Sequence, residues 1–167
     1  MVAEISIATR ITQLLTSDYG YTLVKAANYV TYFFLLLFLG RVFFTFVSFA
    51  KYGAEKLLII CHVFSLVFFI VGIFYNPFFL VLCGLTMAPC YALNMDYIAT
   101  VYQTSATKVM AQSMSATSLV VMLAHYLIGV LSDMFSVKMA LLFPALLLVF
   151  CILSLFAFSN LHSKSEQ

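Results

Sequence analysis

Charge is what this 167-residue sequence has least of: Asp, Glu, Lys and Arg together make up 8% of it. Soluble domains carry about 25% charged residues. So few charges cannot solvate the surface that a soluble enzyme, a disordered tail or a nucleic-acid module exposes. Eight basic residues against six acidic ones leave a formal net charge of +2, too weak a balance to select an anionic partner, and no nucleic acid is expected. Glycine is sparse and dispersed, with six in all, so neither a phosphate-cradling loop nor a dinucleotide fingerprint is available. No Gly-x-Ser-x-Gly elbow occurs either. The four cysteines, Cys61, Cys83, Cys90 and Cys151, form no Cys-x-x-Cys pair and have no partnered histidine at ligand spacing. They read as apolar packing residues in a reduced or lipid setting. No metal or cofactor is expected, and the lack of a nucleophile, base and metal constellation argues against an enzyme.

What the sequence does have is apolar length: 65% of residues are hydrophobic and the mean hydropathy is +1.11. Burying an ion in hydrocarbon costs several kcal/mol, so charges gather at helix ends. Here Asp, Glu, Lys and Arg are missing from Leu57 to Met95, from Val109 to Ser132 and from Met139 to Ser163. A spanning helix needs about 20 apolar residues, so the first gap holds two helices and each of the others one. Tyr75-Asn76-Pro77 divides the first gap, because Asn-Pro favours a turn and proline suits the first helical positions. The expectation is an all-α, polytopic membrane bundle with five full transmembrane helices near 22–49, 57–75, 78–100, 108–131 and 137–159, followed by a short solvated tail at 161–167.

The segment 1–16 is apolar at Ile7, Ile11, Leu14 and Leu15 but interrupted by Glu4, Arg10 and Gln13. At roughly 24 Å it is too short to cross alone. It reads either as an interfacial amphipathic helix or as the second half of a spanning helix. A cleaved signal peptide fits worst, since the basic residue follows the apolar stretch. The positive-inside bias places Lys51, Lys56, Lys108 and Lys164 in the cytoplasm and Lys25 and Lys138 outside.

The remaining signals concern helix packing and polarity at membrane depth. Gly84, Ala88 and Ala92 fall four apart on one face, a small-residue stripe that admits a second backbone. Pro89 in the same helix removes the bond to the carbonyl of Leu85 and kinks or loosens it. Ala111, Ser115 and Ser118 form another small, hydroxyl-bearing face. Arg41 and Asp96 lie at matching depths, about 9 and 10 Å on the cytoplasmic side of their helix middles at 1.5 Å per residue. They are therefore expected to pair or share a hydrated cavity if their helices are neighbours. The alternative is that Arg41 snorkels to the headgroups while Asp96 caps a fraying end. Asn28, Tyr32, His62, Tyr91, Asn94, Gln112 and His125 are further polar positions at depth. Histidine titrates near neutral pH, so His125 is a candidate for proton coupling; a neutral histidine bonded to a neighbour is the plainer reading.

The order of these features carries a resemblance. A helix with Gly40-Arg41 ending in Lys51-Tyr52-Gly53 is followed by a plain helix and then by Gly84-Leu85-Thr86-Met87-Ala88-Pro89. Next comes Gly129-Val130-Leu131-Ser132-Asp133, before a last helix containing Pro144. This order resembles the C-terminal half of a major facilitator superfamily (MFS) transporter. The five full helices would correspond to the family's eighth to twelfth, and Val2 to Thr16 to the end of the seventh. Ala3-Glu4-Ile5 and Leu14-Leu15-Thr16 look somewhat like the sugar:proton symporter branch. That branch has a glycine-rich stretch in its eleventh helix, where this chain has Leu123-Ala124-His125-Tyr126. The family's cytoplasmic loop carries an Asp and clustered Arg, for which only Lys51, Gly53 and Lys56 stand in here. The resemblance implies an integral protein of the inner, cytoplasmic membrane and ion-coupled transport of a small solute by alternating access. It also implies a cavity lined by the seventh, eighth, tenth and eleventh helices. Glu4, Asn28, Asn94, Gln112 and His125 would then line the path, with Glu4 the proton carrier. The family's path lies between two six-helix halves. The resemblance therefore implies a complementary N-terminal half or self-association, or else an inactive fragment. The competing expectation is a small multi-pass subunit that packs against a larger membrane complex and transports nothing.

Overall fold

Hydrocarbon offers no hydrogen-bond partners, so a chain this apolar satisfies its backbone within each segment, which a helix does. The computed structural model describes residues 1–46 and 54–165, with side chains as far as residue 157. Among them there is no strand. The helices are α1 (Val2–Ser17), α2 (Leu23–Phe46), α3 (Ala54–Phe74), α4 (Phe78–Met87), α5 (Cys90–Tyr102), α6 (Ala106–Met134), α7 (Val137–Ala140) and α8 (Leu142–Ser165), with a 3-10 turn at Gln103–Ser105. Four segments are long and apolar enough to cross a bilayer: Leu23–Phe46, Ala54–Phe74, Phe78–Met134 and Val137–Ala157. The third contains a reversal. Gln103, at φ 36°, begins the turn that folds α6 back against α5. The Lys51-Tyr52-Gly53 motif and the side chain of Lys164 lie outside the described residues.

Both expected spans that contain a proline are divided. Pro89 has no amide to give the Leu85 carbonyl, and the helix expected over 78–100 breaks into α4 and α5 at Ala88 and Pro89. Pro144 likewise has no amide to give the Ala140 carbonyl, and Leu141 separates α7 from α8. The tail expected from residue 161 is instead helical to Ser165, since Leu161, His162 and Lys164 bring no helix breaker.

The core is organised by close approach of α2 and α4. A Cβ on Gly84 would lie 2.5 Å from the carbonyl oxygen of Phe33, and one on Gly40 would lie 2.6 Å from the Cβ of Ala88. Each glycine thus admits the opposite helix at a distance no side chain permits. Around this contact pack Phe33, Leu37, Phe69, Ile73, Leu80, Cys83 and Met87. Helix α1 completes the same cluster through Ala3, Ile7, Ile11, Leu14 and Leu15, a three-and-four spacing that makes one continuous stripe. It packs on α2, α4, α6, α7 and α8, so its stripe faces helices rather than acyl chains. Along α2, by contrast, Phe34, Leu35, Phe38, Leu39, Val42 and Phe43 are exposed, the surface that hydrocarbon would cover.

The bundle end carrying the α1–α2 and α3–α4 connectors is closed by aromatics. The Tyr19 hydroxyl donates to the Ile73 carbonyl at 2.8 Å. The Tyr19 ring meets Tyr21, and Tyr21 meets Tyr29. Lys25 and Lys138 sit over the rings of Tyr21 and Tyr19 at 3.8 and 4.6 Å, within cation–π range. Burial, then the charge of Asp18 and the neighbouring Tyr21, push the Tyr19 phenol above its usual value.

The α2–α4 contact predicts that Gly84→Ala destabilises the bundle by about 1–3 kcal/mol through forced helix separation. Gly129→Ala should be neutral or stabilising by up to about 1 kcal/mol, because its nearest neighbour is the flexible Arg10 guanidinium at 3.4 Å. Reversible unfolding in mixed detergent micelles checks both. Tyr19 predicts an alkaline limit. Its folded state holds the phenolic proton more tightly than the unfolded chain does, so its contribution is complete below about pH 10. That contribution is lost as pH rises through the raised value. Melting temperatures from pH 9 to about 11 should fall more steeply for the native chain than for Tyr19→Phe.

Candidate functional site

Helix α1 runs antiparallel to α2 from the Asp18–Thr22 connector, so its first turn lies alongside the later part of α2. That geometry brings Glu4 to Arg41: Nη2 of Arg41 donates to Oε1 of Glu4 at 3.1 Å. Arg41 is therefore paired with Glu4 and not with Asp96. Helix α2 packs on α4, whereas beyond the Pro89 break α5 packs on α3 and α6, which carries the exposed Asp96 away from α2. Only the start of α5 borders Arg41, through Tyr91, Ala92 and Leu93, and Asp96 lines neither that groove nor the larger cavity.

Beyond the first turn of α1, the neighbouring helices α3, α5, α6 and α8 surround a cavity of about 400 Å³, within the range of small-molecule sites. Its wall is mostly apolar, with Leu58, Met87, Val120, Leu147 and Leu155 among the lining residues. Glu4, His62, Ser65, Tyr91, Asn94, Ser113 and Thr117 supply polar groups. Nδ1 of His62 lies 2.8 Å from the Leu58 carbonyl oxygen and 3.9 Å from Sγ of Cys90. The hydroxyl of Ser65 donates to that of Thr86 at 2.8 Å, which ties α3 to α4. A second, smaller groove lies on the other side of Tyr91, between the end of α2 and the break.

Of the expected path residues, Glu4 and Asn94 line the larger cavity. Asn28 and Gln112 are exposed and His125 is half-buried, and none of the three lines either cavity. The small-residue stripe is divided in the same way. Gly84 and Ala88 are buried against α2, while Ala92, beyond Pro89, is exposed on the groove. On α6 the cavity takes Ser113 and Thr117. The expected Ser115 and Ser118 are exposed and bond back to the carbonyls of Ala111 and Met114. Both hydroxyl pairs have near-helical spacing, so their order along α6 did not distinguish them. His62 and Tyr91 were visible only as polar residues at depth. Nothing local marked them as cavity residues.

Cys83 packs in the main cluster and Cys61 and Cys90 in a second one with Leu58 and Leu93, while Cys90 and Cys151 also line the cavity. Among the described residues, no group of three or more His, Cys, Asp or Glu is placed to hold a metal ion. Comparison of the chain with protein-family models, with curated proteins and with solved structures finds no match.

A double-mutant cycle tests the ion pair. Glu4→Gln and Arg41→Gln should couple by about 1 kcal/mol or more in unfolding free energy. Arg41→Gln with Asp96→Asn should be additive within about 0.5 kcal/mol.

Proposed function

We propose that the chain works as the C-terminal half of an MFS-type secondary transporter in the inner, cytoplasmic membrane, assembled with a complementary N-terminal half or with a second copy. In this role it moves a small solute by ion-coupled uptake or efflux. The observation that carries the reading is the Glu4–Arg41 pair at membrane depth beside a mostly apolar cavity into which a few polar groups project. Ionisable groups are retained in hydrocarbon where they pair, line water or do work. The break at Pro89 adds support, because discontinuous helices near a midplane site are a recurring device of secondary transporters. In this mechanism the half rocks as a unit against its partner, and the first turn of α1 carries the coupling proton on Glu4. Asn94 and Tyr91 line the adjacent wall.

Extraction of the native assembly in detergent, with its mass measured and components identified, tests the reading. Co-recovery of a second polypeptide of about six spans, or of a second copy, is the expected result. Recovery inside a large multi-component complex would replace this reading with the accessory-subunit one. Recovery of the chain by itself would mark it as an inactive fragment. In the reassembled protein, Glu4→Gln should abolish proton dependence of transport; full retention would remove Glu4 from the carrier role.

A further inference from the structure

A guanidinium has five N–H donors in a planar fork. Among the described residues the Arg41 side chain uses one of them, the 3.1 Å bond from Nη2 to Glu4. The arginine side chain stays 54% exposed, whereas that of Glu4 is 18% exposed. What it borders is a groove of about 300 Å³. Two of its lining residues, Ala88 and Ala92, extend no further than Cβ. Phe44 and Tyr91 make apolar walls, and Thr45 stands one helical turn beyond Arg41. Apolar walls strengthen a charge-assisted hydrogen bond by lowering the local dielectric. A fork, unlike an ammonium point charge, fits a group offering two oxygens in a plane.

We propose that Arg41 is the docking point for a small oxyanion, a carboxylate or phosphate group, held in the groove between the end of α2 and the Pro89 break, with Glu4 orienting the guanidinium from the other side. Two sources carry that chemistry: a free anion, and the phosphate of an anionic lipid headgroup. The proposal deepens the transport reading and rests on it for one point only, that a free anion so bound is the cargo.

Binding is measured on the full chain without a partner, so its failure leaves the partner-recovery test untouched. Isothermal titration and melting in detergent use sodium phosphate and sodium acetate, against sodium chloride at matched ionic strength. In parallel, the chain is melted in phosphatidylcholine nanodiscs with and without phosphatidylglycerol. The expected result is a saturable stabilisation by phosphate, acetate or phosphatidylglycerol that Arg41→Gln abolishes and Arg41→Lys retains in part. A free-anion effect identifies solute, and an effect confined to phosphatidylglycerol identifies headgroup. Glu4→Gln, which removes the opposing charge, should tighten binding about tenfold. The proposal is overturned if no probe acts, or if Arg41→Gln responds like the native chain. If Arg41→Gln does not fold, unchanged or weaker binding by Glu4→Gln overturns it.

Discussion

The close approach of α2 and α4 is the contact on which the rest of the arrangement depends. Gly84 lets the α2 backbone at Phe33 come to a distance that a methyl group would block, and Gly40 does the same against Ala88. In hydrocarbon, helices gain little from hiding apolar surface and associate through tight packing. Two glycines on opposite helices therefore act as a register mark. With α2 and α4 so fixed, their shared cluster offers α1 a surface for Ile7, Ile11 and Leu14, and the start of α1 falls beside Arg41.

That placement settles the electrostatics. A guanidinium and a carboxylate at membrane depth are costly apart and tolerable together. Helix α1 supplies the carboxylate that neutralises Arg41, and in doing so brings Glu4 to the wall of the larger cavity. The Pro89 break then separates the two concavities. Tyr91, two residues past it, lines both, so Glu4 on one side and Arg41 on the other are linked through a single ion pair and a single aromatic wall. The hydroxyls of Ser65 on α3 and Thr86 on α4 bond to each other, and His62 Nδ1 lies against the Leu58 carbonyl, so these groups are met within the bundle.

Much of the fold was legible because hydrocarbon imposes one-dimensional rules. Charge-free length marks spans, and proline marks interruptions; Pro89 lies at one, and Pro144 three residues after the other, at Leu141. The site was less legible. Glu4 and Asn94 reach the cavity, but Asn28, Gln112 and His125 do not. Polarity at depth says that a residue needs a partner without saying which direction it faces. Equal depth suggested Arg41 with Asp96, yet depth is one coordinate, and an ion pair also needs adjacent helices and a shared face.

The order of residues was enough to show that the chain is helical, where its apolar segments run, that most of its charges gather at their ends, and that Gly84 and Ala88 form a small-residue face suited to close packing. These follow from hydropathy, proline chemistry and helical spacing, which act within a segment. The folded arrangement was needed to show that Arg41 pairs with Glu4, that Ala92 leaves the stripe shared by Gly84 and Ala88, and that Ser113 rather than Ser115 faces the cavity. Each of these depends on the rotation of one helix about its axis relative to another. That rotation is set by steric fit between distant segments, at Gly84 against Phe33 above all, and leaves no trace in the local order of residues.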